Sequence, residues 1–285
     1  MSAARPQRSA TRTLAWLYSP AALREPLAAL FALEREIGAS LRARLDHQVA
    51  HARLAWWREE CERSGAAPSA HPLMRELAEQ FAPEPQAALR GLTGLVDCAV
   101  WDLAAATFET RRELRAYCER WSAAMIAPLA RHAAPKLAPA AALALGAALK
   151  EMELLLALAP DAQAGRLRLP LDELSAVAVP AEAVAHAPWA PQLTSLLCER
   201  HRELRGTLAT KVNTLPAAAQ APLRGVIVWA ALLCLQSQRA ERRLPHVSAG
   251  SEQQRPLDGW HAWRAARRAA AGHGLARTWC TAPAR

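Results

Sequence analysis

Apolar residues recur along this chain at three- and four-residue spacing almost from end to end, and the period-two alternation of a half-buried strand is nearly absent. The pattern predicts an all-α fold. Helices are expected over Ser9 to Tyr18, Pro26 to Asp46, Gln48 to Ser64, Pro72 to Phe81 and Glu84 to Ala106, then over Arg111 to His132, Pro139 to Ala159, Pro191 to Leu215, Ala217 to Leu244 and Leu257 to Ala271. Breaks fall where Pro and Gly gather, in SGAAPSAHP, in APEP and along the irregular stretch from Asp161 to Pro191. Thr110-Arg-Arg-Glu113 reads as a capping box, in which each side chain satisfies an orphan backbone N–H of the other residue. The longest apolar run, GVIVWAALLCL from Gly225 to Leu235, is shorter than the roughly 20 residues that cross a bilayer, so a buried helix is expected there. No flexible linker or internal repeat stands out. One helical domain is expected over 13–271, between a basic N-terminal tail at 1–12 and a C-terminal tail at 272–285.

Composition narrows the class. The 285 residues are 52% hydrophobic with a mean hydropathy of −0.05, which fits a globular chain long enough for a sizeable core. Six cysteines, Cys61, Cys98, Cys118, Cys198, Cys234 and Cys280, are scattered without a C-x-x-C pair, so neither a disulfide framework nor a zinc site is indicated. A reducing cytoplasm fits that usage, with the inner face of a membrane as a further expectation. Arg5, Arg8 and Arg12 make the N-terminus basic without the apolar stretch of a secretory signal. The net charge of +9 suits an acidic partner such as nucleic acid, a diphosphate or an anionic membrane face. Because the arginines alternate with glutamates, as in RREL and CERW, and no nucleic-acid module is visible, solvated helix faces are the plainer reading and no nucleic-acid partner is expected.

Four segments, taken in order, carry a more specific signal. They are ALREPLAALFALEREIGASLR (Ala22 to Arg42), RLAWWREECERSGAAPSAHPLMREL (Arg53 to Leu77), LVDCAVWDLAAATFETRRELRAYCERW (Leu95 to Trp121) and LGAALKEMELLLALAPDAQAGRLRLPLDEL (Leu145 to Leu174). In order and spacing, their Trp-Trp-Arg-Glu, His-Pro-Leu, Asp-x4-Asp, Tyr-Cys and Gly-Arg-x-x-Leu-Pro elements resemble those of the squalene/phytoene synthase family, the head-to-head prenyl diphosphate condensing enzymes. The resemblance runs from about Thr13 to Ala270. It implies an all-helical isoprenoid-synthase fold around a central cavity, where Asp-rich motifs on two facing helices hold magnesium against substrate diphosphate. Magnesium, a hard cation, needs oxygen ligands, and the departing diphosphate needs neutralising charge.

The chain departs from the family at those motifs. Where the resemblance implies Asp-Asp-x-x-Asp, the sequence reads Gly38-Ala39-Ser40-Leu41-Arg42, and Arg42 places a cation where a cation would bind. The second motif reads Ala157-Leu158-Ala159-Pro160-Asp161, so Asp161 alone survives; the following Arg-Gly-Arg is Ala164-Gly165-Arg166, and Arg168 stands in place of a tyrosine. Removing one transition-state stabiliser typically slows a reaction by a hundred- to a thousandfold, and grouped residues fail together. The expectation is a family member without metal or cofactor that binds an isoprenoid or other lipid, or supports a membrane-associated complex. In this it is similar to the mitochondrial complex I assembly factor of the same family, whose corresponding segment resembles Ala29 to Ile37. The rival is an active prenyltransferase using Mg²⁺ on displaced carboxylates: Glu34 and Glu153, each one helical turn before a missing aspartate, with Asp97, Asp102 and Asp161. Arg35, Arg53 and Arg166 would then meet the diphosphate. The plainer readings make Glu34 and Glu153 surface or salt-bridged acids, Glu153 lying three residues from Lys150, and make Asp97 and Asp102 buried or arginine-paired carboxylates.

Other candidates carry less. His47 and His51 share a helix face and could share a metal, but lack a third ligand; an exposed face is the alternative. Cys118, Ser122 and His132 suggest a hydrolase without any nucleophile elbow to support one. Trp56 and Trp57 read first as core packing. Trp260 and Trp263, beside Arg264, Arg267 and Arg268, suit an anionic membrane interface or a terminal helix that closes the cavity with its tryptophans inward; the second is the expectation.

Overall fold

The computed structural model describes residues 10–41, 45–63, 69–246 and 256–280; Arg5, Arg8 and Arg42 lie outside them. Among the described residues the fold is all-α. In chain order, α1 spans Ala10–Tyr18 and α2 Ala21–Gly38, followed by a 3-10 turn at Ala39–Leu41. Next come α3 (His47–Glu62), α4 (Pro72–Gln80), α5 (Pro85–Leu89), α6 (Thr93–Leu103), α7 (Arg111–Met125), α8 (Ala127–Ala133), α9 (Pro139–Leu156) and α10 (Leu158–Gln163). The chain continues through α11 (Leu171–Ala176), a 3-10 turn at Ala181–Ala185, α12 (Pro191–Asn213), α13 (Ala217–Gln220), α14 (Arg224–Glu241), α15 (Pro256–Ala270) and α16 (Arg277–Cys280).

The apolar pattern explains the layout. Every residue from Gly225 to Leu235 is buried, and α14 packs against α1, α9, α12 and α15, so the longest apolar run is the central helix of the core. No helix among the described residues is long and apolar enough to cross a membrane. Around this centre α7 lies along α9, α6 joins α3 to α7, and α2 packs on α4 and α6. Two glycines allow the close approaches that place the site. A Cβ on Gly146 would fall 2.1 Å from Ser122 Oγ, so α9 reaches α7 only without one; a Cβ on Gly225 would fall 1.9 Å from Ser19 Oγ, which keeps α1 against α14.

Several boundaries differ from the sequence expectation. Helix α2 begins at Ala21, five residues before Pro26, whose ring lies within the helix. The single helices expected over Glu84 to Ala106, Arg111 to His132 and Pro139 to Ala159 are each two helices, the second divided where Pro128 at the start of α8 lacks a backbone N–H. The expected capping box does not form: Thr110 makes no side-chain cap, and Glu113 accepts from the Glu109 N–H at 2.8 Å rather than from that of Thr110. Both tails need correcting. Arg12 is the third residue of α1 rather than the end of a basic tail, and Leu275 and Trp279 in the expected C-terminal tail are buried in the core.

Candidate functional site

A cluster of largely buried charge forms where α1, α2, α7, α9 and α14 meet. Helix α1 is amphipathic, and it aims Arg12 inward beside buried Thr11, Leu14 and Ala15. There the Arg12 guanidinium bridges two carboxylates on facing helices: Nη1 donates to Glu34 Oε2 of α2 at 2.5 Å, while Nε and Nη2 donate to Glu153 Oε1 and Oε2 of α9 at 2.9 and 2.7 Å. The double contact with Glu153 is the fork geometry that a planar guanidinium makes with a carboxylate. Trp121 Nε1 of α7 donates to Glu34 Oε1 at 2.9 Å, and Lys150 Nζ stands 4.0 Å from each carboxylate. Aromatic faces close the site around the cation, with Arg12 Cζ 4.9 Å from the Trp229 centroid, 5.2 Å from Phe31 and 5.9 Å from Trp121.

The electrostatics follow from this packing. Burial disfavours every charge here, but Glu153 and Glu34 outweigh it at Arg12 and raise the guanidinium above its ordinary range. Burial likewise opposes the Glu34 carboxylate, yet Arg12 first and Lys150 second prevail and lower it to about 2. Two cations, Arg12 and Lys150, stand against two anions, Glu34 and Glu153, so the cluster is neutral as built.

A second cluster lies one turn away along α7, where Tyr117 precedes Trp121 on the same helix face. Its centre is Arg168, 5% exposed, whose Nη1 donates to Asp102 Oδ1 at 2.7 Å and whose Nε donates to Asp161 Oδ2 at 3.0 Å. Arg166 Nη2 donates to the other Asp161 oxygen at 3.0 Å, and the Tyr117 hydroxyl donates to Asp102 at 3.2 Å. Burial lowers the charged state of Arg168, but its hydrogen bond to Asp102 leads the opposing effects and raises it above the ordinary arginine range. Two arginines again balance two acids. The turn that brings them together is local: Gly165 sits at φ +78°, and the Arg166 N–H bonds the Asp161 carbonyl at 2.8 Å.

The structure therefore sorts the candidates in a way the sequence does not. Glu34 and Glu153 come together, Asp102 and Asp161 come together, and Asp97 stands apart in a half-exposed pair with Arg58 at 2.6 Å. Arginine pairing is thus the fate of Asp97 and Asp102, and salt bridging that of Glu34 and Glu153, although neither of these two is a surface acid. The three arginines assigned to diphosphate do not converge: Arg166 is held by Asp161, Arg35 is exposed beside Glu36, and Arg53 is exposed. Arg53 instead lines an open surface depression of about 480 Å³ with Glu36, Val49, Ala52, Trp56, Trp57 and His71. Trp57 is core as expected, whereas Trp56 is exposed. Sequence reading missed both central arginines. Arg12 falls in both the Ser9 to Tyr18 helix and the basic tail expected from the sequence, neither of which gives it an interior partner, and the signal for Arg168 was its place where the resemblance implies a tyrosine.

The minor candidates resolve simply. His47 and His51 touch through Nε2 atoms 3.1 Å apart on an exposed face, and among the described residues no group of three or more His, Cys, Asp or Glu is placed to hold a metal ion. Ser122 donates to the Leu143 carbonyl, His132 is exposed against Phe81, and burial pushes the Cys118 thiol far above its usual range, so no hydrolase constellation forms. Trp260 and Trp263 face outward, which corrects the expectation that they close the cavity.

The donor set does not fit magnesium. Each carboxylate of both clusters is engaged by arginine, and each cluster is already neutral, so a divalent cation would have to displace a guanidinium and leave it buried without a counter-ion.

Comparison with known proteins follows the same outline. No curated protein sequence matches the chain. Among solved structures, a dehydrosqualene synthase in complex with ligand superposes with a TM-score of 0.69 at 16% identity, covering 92% of this chain and 91% of that one. The squalene synthase HpnC from Alicyclobacillus acidocaldarius superposes with a TM-score of 0.65 at 18% identity, covering 84% of this chain and 90% of that one. At such identities the likeness is one of fold. The squalene/phytoene synthase family itself matches over residues 5–260, which is most of the chain, and this protein belongs to that family.

Proposed function

We propose that this protein is a non-catalytic member of the squalene/phytoene synthase family, one that keeps the helical shell and binds an isoprenoid or other lipid, or supports assembly of a membrane-associated complex. The observation that carries this reading is the Arg12 guanidinium fixed between Glu34 and Glu153. In the family as the sequence resembles it, facing acidic motifs gather magnesium at the diphosphate. Here the two facing acids lie one turn before those motif positions, and an internal cation is bonded to both. A guanidinium carries one charge and no open coordination position. Together with Lys150 it neutralises the acids without offering a Lewis acid to a leaving group.

The second reading is a head-to-head prenyltransferase that works with displaced carboxylates. It is favoured by one specific feature: Glu34 and Glu153 do face each other across α2 and α9, close enough for a single cation to bridge. That reading requires Arg12 to leave. Both are tested by incubating the purified protein with farnesyl or geranylgeranyl diphosphate, with and without Mg²⁺, and measuring diphosphate release. The non-catalytic reading predicts release no faster than in protein-free controls; metal-dependent turnover would overturn it.

A further inference from the structure

The outward face of α15 has a composition that neither cluster accounts for. Its buried stripe is Asp258, Ala262, Ala265, Ala266 and Ala269, while the opposite stripe exposes Leu257, Trp260, Trp263, Arg264 and Arg267. At 100° per residue the exposed five fall within an arc of roughly 120°. Leu257 is 64% exposed, Trp260 52% and Trp263 38%, the largest exposed apolar group on any one helix among the described residues. The two indoles stack at 4.8 Å, and the Arg267 guanidinium lies 5.3 Å from the Trp263 centroid. The only acid of this helix, Asp258, is on the buried stripe and bonded to Arg239 at 2.5 Å.

Such a face has a narrow set of partners. Apolar groups at this exposure normally mark a contact surface. Tryptophan favours the interface between headgroup and acyl chain, arginine favours anionic headgroups, and a helix lying flat in that plane needs both on one side. A second copy of the chain fits poorly, because a two-fold contact through this stripe would set Arg264 and Arg267 against like charges. By contrast, the other exposed tryptophan, Trp56, shares its depression with Glu36 as well as Arg53, so it lacks the acid-free cationic stripe of α15.

We propose that the Leu257–Trp260–Trp263–Arg264–Arg267 face of α15 docks this protein onto an anionic lipid bilayer, lying in its headgroup plane without crossing it. Binding then requires negative lipid, weakens with salt, and depends on both the indoles and the arginines. All five side chains are exposed, and of the two arginines Arg264 also reaches inward, its guanidinium 5.8 Å from the buried Trp279 ring, so folding controls matter most for its replacement.

The test is co-sedimentation of the full-length protein with vesicles of phosphatidylcholine alone or mixed with phosphatidylglycerol, at about 0.05 and 0.5 M salt. The protein is expected to sediment with the mixed vesicles at low salt and not with neutral ones. Arg264→Gln with Arg267→Gln should weaken binding by about 30-fold, since each surface cation contributes roughly a fivefold factor, and Trp260→Ser with Trp263→Ser should weaken it at least tenfold. Circular dichroism and thermal melts matching the wild type establish that the variants fold. Equal binding to neutral and anionic vesicles, variants that bind as well as the wild type, or a dimer or DNA complex abolished by the tryptophan pair of substitutions would each overturn the proposal.

Discussion

The two charge clusters share a helix, a size and a net charge of zero, yet they are assembled in opposite ways. Asp161 is met by Arg166 and Arg168, five and seven residues further on, within a single turn of chain; only Asp102 comes from afar. Glu34 and Glu153 are met by Arg12, which is 22 residues from one and 141 from the other and arrives only because α1 docks on α14. The local cluster is a property of a turn. The distant one is a property of the whole fold, and it makes the N-terminal helix part of the interior electrostatics.

Breaking the comparison at its most fold-dependent point should give the largest effect. Arg12→Ala leaves Glu34 and Glu153 facing each other with Lys150 alone, and is expected to destabilise the protein by about 3–5 kcal/mol in denaturant unfolding. Replacing Arg12, Glu34 and Glu153 together by methionine removes charge and counter-charge at once and should recover most of that loss. Acid titrates the same cluster. Glu34 is lowered from 4.5 to about 2 in the folded state, so between those values the unfolded chain binds more protons. Its contribution is complete above about pH 4.5 and fades as pH falls towards 2, by roughly 3 kcal/mol; Glu34→Gln should flatten that part of the stability curve relative to wild type.

The local cluster should respond less. Arg168→Ala leaves Asp161 with Arg166 and Asp102 with the Tyr117 hydroxyl, for an expected loss of about 2 kcal/mol. Arg166→Ala removes a partner that is 30% exposed and leaves Arg168 in place, for a loss below about 1 kcal/mol. Should Arg166→Ala cost as much as Arg12→Ala, the distinction between local and distant assembly fails.

What the sequence revealed follows the same division. The all-α class, the buried Gly225 to Leu235 helix and the arginine pairing of Asp102 were legible, because periodicity and the rule that buried charges are paired act locally or generally. The subdivision of the Arg111 to His132 helix was missed although Pro128 signalled it. Arg12 was not legible as a partner of Glu153, because no pattern in one sequence reports a contact across 141 positions. The orientation of Trp260 and Trp263 escaped for another reason: α15 carries an alanine stripe beside its tryptophan stripe, and the stripe that turns inward is the one that fits against α14, α1 and α13, which no local pattern reports.

The central claim is that a guanidinium stands where facing acids would gather metal. It is tested most directly by crystals of the protein soaked with Mg²⁺ and a thio-substituted prenyl diphosphate. The account predicts Arg12 still bonded to Glu34 and Glu153 with no metal ion between them. Two or three magnesium ions coordinated by Glu34, Glu153 or Asp161, with Arg12 displaced, would contradict it.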